Sequence, residues 1–100
     1  MKRYQLAAAA RLDLLQIWNY VCAHASDEVA DRVLRDIERA IERVVRTPSL
    51  GRTRPDLTDL PLRFYRVHNY LVAYDPAARP LAVARVVHGM RDLPGVFRRV

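Results

Sequence analysis

The stretch SDEVADRVLRDIERAIERVVRTP, residues 26–48, constrains the fold more than any other part of the chain. Val29, Ala30, Val33, Leu34, Ile37, Ala40, Ile41, Val44 and Val45 recur at three- and four-residue spacing, which predicts one helix with a wide apolar face. Ser26 is placed to cap its start, and Asp27 and Glu28 fall in the first turn, where the helix dipole favours negative charge. Glu28/Arg32, Asp31/Arg35 and Glu42/Arg46 are acid-first pairs four residues apart. Arg46 closes the helix and Pro48 stops it from continuing. Such a face must be buried, so the rest of the chain has to supply a covering layer.

Part of that layer lies immediately upstream. From about Ala8, the residues Leu14, Ile17, Trp18, Val21 and Ala25 keep helical spacing, with Leu15 and Cys22 widening the stripe. Trp18 sits in mid-stripe and is expected in the core. Two amphipathic helices with a short joint make a helical hairpin. Before them, KRYQLA (2–7) alternates at Tyr4 and Leu6 and is expected to be a strand.

Downstream the period changes to two. TPSLGRTRPDLTDLP (47–61), with three prolines and a glycine, is expected to be a loop, longer than a bare connection needs. LRFYRV (62–67) alternates, with Arg63, Tyr65 and Val67 opposing Leu62, Phe64 and Arg66. His68-Asn69 forms a tight turn, and YLVAYD (70–75) returns as the hairpin partner. PLAVARVV (80–87) is apolar on both faces and so is expected in mid-sheet, with Arg85 on the same face as Leu81, Val83 and Val87 and near a rim or an exposed concave face. Asp92 and Pro94 open a short tail. The order β-α-α-β-β-β is an α+β fold: an N-terminal strand and a helical hairpin packed on a small, mainly antiparallel sheet. One domain spans residues 1–100.

Charge narrows the partners. Residues 1–50 carry eight basic and seven acidic side chains; residues 51–100 carry nine arginines against four aspartates. The net +6 therefore sits almost wholly in the C-terminal half, and all but one of the seventeen basic residues are arginine, whose planar fork suits carboxylates and phosphates. Nucleic acid or an acidic protein fits such a surface. Cys22 is the sole cysteine, which excludes an internal disulfide and suits a reducing compartment. The apolar run near the start is short and cut by Arg11 and Asp13, so no signal peptide is expected, and no stretch approaches a membrane span. The expected location is cytoplasmic.

Site chemistry is mostly excluded by spacing. Cys22 and His24 point to different sides of a helix and no second pair completes a metal site, so no metal and no cofactor are expected. Three glycines, at 51, 89 and 95, make no phosphate-cradling loop. Gly89 is expected to supply backbone freedom where the last strand ends.

In four places the chain resembles the RelE/ParE superfamily of bacterial toxins. YQLAAAARLDLLQIWNYV is similar to the family's strand, alanines, Asp-Leu pair and aromatic segment. TPSLGRTRPDL is similar to its Pro-x-x-Gly-Arg loop, LRFYRVHNYLVAYD to its hairpin, and ARVVHGMRD to the Arg-Val-Leu-His-Gly-x-Arg-Asp ending of the ParE branch. The resemblance implies the toxin of a type II toxin–antitoxin module. RelE-like members are implied to cleave mRNA on the ribosome without metal; ParE-like members are implied to inhibit DNA gyrase without nuclease chemistry.

RNA scission needs activation of the 2′-hydroxyl, cations on the phosphate and a proton for the leaving oxygen. By resemblance, the family's phosphate-binding arginine near the end of the last strand matches Arg91. Its second arginine falls on Leu71, and its tyrosine near the C-terminus on Phe97, which can stack on a base but holds no exchangeable proton. Neither residue can do that chemistry. The expectation is therefore a non-enzymatic gyrase inhibitor, neutralised by a cognate antitoxin in a hetero-oligomer. No sequence-specific DNA binding by the toxin alone and no membrane partner are expected. The alternatives are a ribosome-dependent endoribonuclease using Arg91, His88 and a hairpin arginine, or a non-toxic relative that only binds antitoxin.

No residue is assigned as catalytic. Arg85, His88, Arg91, Arg98 and Arg99 are the residues expected to meet a partner or target, and Arg63 and Arg66 are expected to face the antitoxin. For His88 the competing structural reading is a strand-end imidazole packed on the core or bonded to backbone. For Arg91 it is a surface pair with Asp92 or Asp59.

Overall fold

A computed structural model describes residues 3–89 and 96–97. The order is β1 (Tyr4–Leu6), α1 (Ala8–His24), α2 (Asp27–Arg46), β2 (Arg52–Thr53), β3 (Arg63–Val67), β4 (Tyr70–Asp75) and β5 (Leu81–His88). One sheet runs β1-β5-β4-β3-β2, with β1 parallel to β5 and every other pairing antiparallel. This is the α+β architecture expected, with one addition. The loop over 47–61 contains the two-residue edge strand β2, too short for alternation to reveal, with Arg52 opposite Phe64 and Thr53 opposite Arg63.

The start of α2 follows from its cap. Ser26 Oγ accepts from the backbone N–H of Val29 at 3.1 Å and starts α2. Ala30, Ile37, Ala40, Ile41 and Val44 of α2 are buried, as the stripe requires. The acid-first pairs four apart do not form among the described residues. Asp36 pairs with Arg39 instead (3.8 Å), and Asp31 accepts from Trp18 Nε1 at 3.0 Å. That bond explains why Trp18 lies half-buried at the edge of the helical hairpin rather than in the core. In α1 the buried residues are Ala10, Asp13 and Ile17, whereas Leu15 is 57% exposed, so the inward stripe is narrower than its apolar content suggests.

The sheet separates two apolar clusters. Between helices and sheet lie Ala10, Ile17, Ile37, Ile41, Val44, Val72, Tyr74, Leu81, Val83 and Val86. On the outer face, away from the helices, Leu57, Leu62, Phe64, Ala73, Val87 and Phe97 form a smaller cluster. Strand β5 contributes to both, as its apolar composition required.

A bulge sets which β5 residues face which cluster. Ala73 pairs with Arg85 but Tyr74 with Val83, so the register slips and Ala84 has no opposite number. Strict alternation would keep Arg85 and Val87 on the face of Leu81 and Val83. Instead Val86 joins Val83 on the helix side, and Val87 turns to the outer face with Phe97.

Candidate functional site

Arg85 is fixed by the first helix. Its Nε donates to Asp13 Oδ2 at 2.7 Å and its Nη2 to Asp13 Oδ1 at 2.9 Å, a two-point fork. Asp13 Oδ2 also accepts the backbone N–H of Val86 at 2.9 Å. The side chains are 16% and 4% exposed, so both charges sit inside the α1–β5 contact. The bond to Asp13 raises the Arg85 pKa further and holds the guanidinium charged. This corrects the expectation of an exposed concave face for Arg85: β1 pairs with β5 only as far as Val83, and beyond it a buried carboxylate of α1 takes the fork.

His88 stands at the end of β5 opposite Tyr70, ring edge to ring face at 5.4 Å and 86°. With Asp13, Gln16, Ile17, Tyr20, Tyr70, Val86 and Val87 it lines a cavity of about 500 Å³ at the α1 side of the sheet. Burial and the neighbouring Tyr20 push the Tyr70 phenol above its ordinary range. Gly89, next in sequence, does not take a positive φ. Its N–H donates to Asn69 O at 2.7 Å, so it closes the β4–β5 end rather than bending the chain there.

Arg63 and Arg66 part company. Arg63 points to the side of Tyr74 and donates through Nη1 to the carbonyls of Gly51 (2.6 Å) and Ser49 (3.4 Å). Arg66 is exposed, pairs across the hairpin with Leu71, and donates through Nε to His68 O at 3.0 Å. Arg91, Arg98 and Arg99 lie outside the described residues.

On the outer face, Leu50, Arg52, Arg54, Phe64, Arg66 and Leu71, together with Tyr65, Asn69, Tyr70 and Gly89, line a groove of about 670 Å³. Arg54 is held by a two-point pair with Asp56 (2.9 and 2.8 Å), which raises the arginine's pKa and lowers that of the aspartate. The sequence pointed to Arg66 here but missed Arg52 and Arg54. The signal was available: Arg-Thr-Arg repeats at strand spacing directly after the Pro-x-x-Gly step.

That step has a physical cause. The Tyr74 hydroxyl donates to Pro48 O at 2.7 Å and accepts the Gly51 N–H at 2.8 Å. A Cβ on Gly51 would lie 2.6 Å from that hydroxyl oxygen, 2.8 Å from the ring and 3.0 Å from Phe64 O. Only glycine fits. The loop is thereby pinned to the sheet, and Arg52 emerges on the Phe64 face.

Two positions tied by resemblance to RNA scission are also placed. Leu71 is on the outer face, beside Arg66. Phe97 is 1% exposed and packs edge-on against Phe64 at 5.0 Å. It is therefore a core residue of the outer cluster, not a ring available to a base. His88, on the helix side, and Arg66, on the outer side, project from opposite faces of the sheet. Among the described residues no group of histidine, cysteine and acidic side chains could hold a metal, and no helix is long and apolar enough to cross a membrane.

Among curated proteins no sequence matches the chain. A solved chain of the chromosomal ParDE toxin–antitoxin system from P. aeruginosa is similar in fold, with TM-score 0.71 at 16% identity, covering 85% of this chain and 92% of that one. The profile of the ParE toxin of the type II toxin–antitoxin system parDE matches residues 4–93. With that match spanning both helices and the whole sheet, the chain belongs to the ParE toxin family.

Proposed function

We propose that the chain is the toxin of a type II module, that it inhibits DNA gyrase without cleaving nucleic acid, and that a cognate antitoxin neutralises it in a cytoplasmic hetero-oligomer. The carrying observation is the outer face of the sheet. Cationic groups are present there in Arg52, Arg54 and Arg66, but general acid–base chemistry needs a titrating partner within hydrogen-bond reach. Leu71 offers no charge, Phe97 is sealed against Phe64, the Tyr65 and Tyr70 rings pack against the helix-side cluster, and His88 belongs to the other face. Cation and proton donor do not converge among the described residues. That separation supports action by binding.

Supercoiling by purified gyrase, titrated with the chain, tests the reading. Blocked supercoiling or trapped DNA breaks are expected. The competing enzyme reading is tested in a cell-free translation reaction: message cut in the presence of the chain, and left whole with Arg91→Ala, would overturn the proposal. Normal growth on expressing the chain alone, with antitoxin binding intact, would identify a relative that has lost toxicity.

A further inference from the structure

The cavity beside α1 is walled by rings. Tyr70 meets His88 edge to face at 5.4 Å, and Tyr20 stacks on His24 at 4.0 Å and 22°. His24 is itself tied back, its Nδ1–H donating to the Tyr20 carbonyl at 2.8 Å. Both tyrosines therefore line the cavity with braced rings, although Tyr20 is 61% exposed. Ile17 and Val86, both buried, supply apolar lining. The side-chain polar groups of Gln16, Tyr20 and Tyr70 donate and accept nothing among the described residues. The gyrase reading uses none of them.

We infer that this cavity binds a neutral, planar heteroaromatic molecule, the chemistry shared by free nucleobases and nucleosides, with its ring on Tyr20 and Tyr70 and its polar edge on Gln16. Charge sets the other small-molecule classes aside. The one permanent charge of the lining is Asp13, whose two oxygens are already engaged by the Arg85 fork and the Val86 N–H. An ammonium ligand finds no free carboxylate there, and a phosphate finds no free guanidinium. An aliphatic chain would cover the Gln16 amide and the phenol hydroxyls and bond to none of them. A flat ring with donors and acceptors on its edge meets both needs, its face on the aromatic wall and its edge on the amide. A volume of about 500 Å³ falls within the usual range of small-molecule sites.

The test titrates the full chain at physiological salt with adenine, adenosine, adenosine monophosphate and tyramine, read by backbone amide shifts. We expect adenosine to shift the amides of Gln16, Tyr20 and Tyr70. Tyr20→Ala, at an exposed position, should weaken it about 5-fold or more, and Tyr20→Phe, which keeps the ring face, should hold most of the affinity. Gln16→Ala, also exposed, gives a second loss through the polar edge. Leu15→Ala, on the same helix but outside the cavity, should bind as wild type does. Adenine against adenosine tells whether the free base or the nucleoside is preferred. No shift at those residues with either at about 10 mM would overturn the inference. So would equal weakening in Tyr20→Ala and Leu15→Ala, or tighter binding of the monophosphate or of tyramine at the same amides. None of these results bears on gyrase supercoiling, so the two readings fail separately.

Discussion

Asp13 and Arg85, 72 residues apart in sequence, close a two-point ion pair at 2.7 and 2.9 Å that ties the first helix to the last strand. The carboxylate has a third donor in the Val86 N–H, so the pair is satisfied as a unit. Removing one member leaves the other charge largely cut off from solvent. We expect Asp13→Ala and Arg85→Met each to destabilise by about 3–5 kcal/mol in urea unfolding. The double Asp13→Leu/Arg85→Met variant should recover a good part of the loss, because two apolar side chains need no compensation.

Gly51 has no room for a methyl group. The flanking atoms are a hydroxyl and a ring carbon of Tyr74 and a carbonyl oxygen of β3, none of them a flexible tip. We expect Gly51→Ala to lower stability by about 1–3 kcal/mol. Adding Tyr74→Phe should rescue it only in part, since the ring carbon at 2.8 Å stays. Thermal melting of the three variants decides the matter.

Tyr74→Phe alone leaves the buried Gly51 N–H without its acceptor and the Pro48 carbonyl without its donor. A loss of about 1–3 kcal/mol is expected. The same hydroxyl carries a pH signature. Burial raises its pKa, so the folded state favours the neutral phenol. Its contribution is complete below the unfolded pKa of about 10 and falls as pH rises through the higher folded value. Wild type should lose stability on the alkaline side more steeply than Tyr74→Phe, as read by unfolding midpoints across that range.

The Cys22 thiol donates to Asp27 Oδ1 at 2.6 Å, and that bond is the main reason its pKa is raised. Thiolate is the reactive form. We expect alkylation by iodoacetamide at mildly alkaline pH to be slower than for an unperturbed thiol, and Asp27→Asn to accelerate it. Equal rates in the two proteins would contradict the hydrogen bond.

Much of this architecture was legible from periodicity. The α2 stripe and its Ser26 cap emerged as read, because burial of one face and a local side-chain bond both leave marks on neighbouring residues. The hairpin at His68-Asn69 did the same; His68 adopts φ 54°, which a tight turn permits. Legibility failed where a residue answers to a distant partner. Nothing near Arg85 announces Asp13. The bulge at Ala84 shows no local cue among small residues, yet it sends Val87 to the other face. Trp18 looked like core because its neighbours are core, but its indole N–H needed an acceptor and found Asp31 at the margin. At the candidate site, Arg66 was among the residues expected to face the antitoxin, whereas Arg52 and Arg54, though at strand spacing, lie in a stretch too short for alternation to mark it as a strand.

The Tyr74 hydroxyl has a consequence beyond stability. By gripping Pro48 and Gly51 together, it commits the chain just before Arg52 to a single path as soon as the sheet is assembled. A partner that met Arg52 would find its backbone already anchored and would spend little binding energy on ordering it. Loosening that one phenol would tax recognition at a surface it never touches.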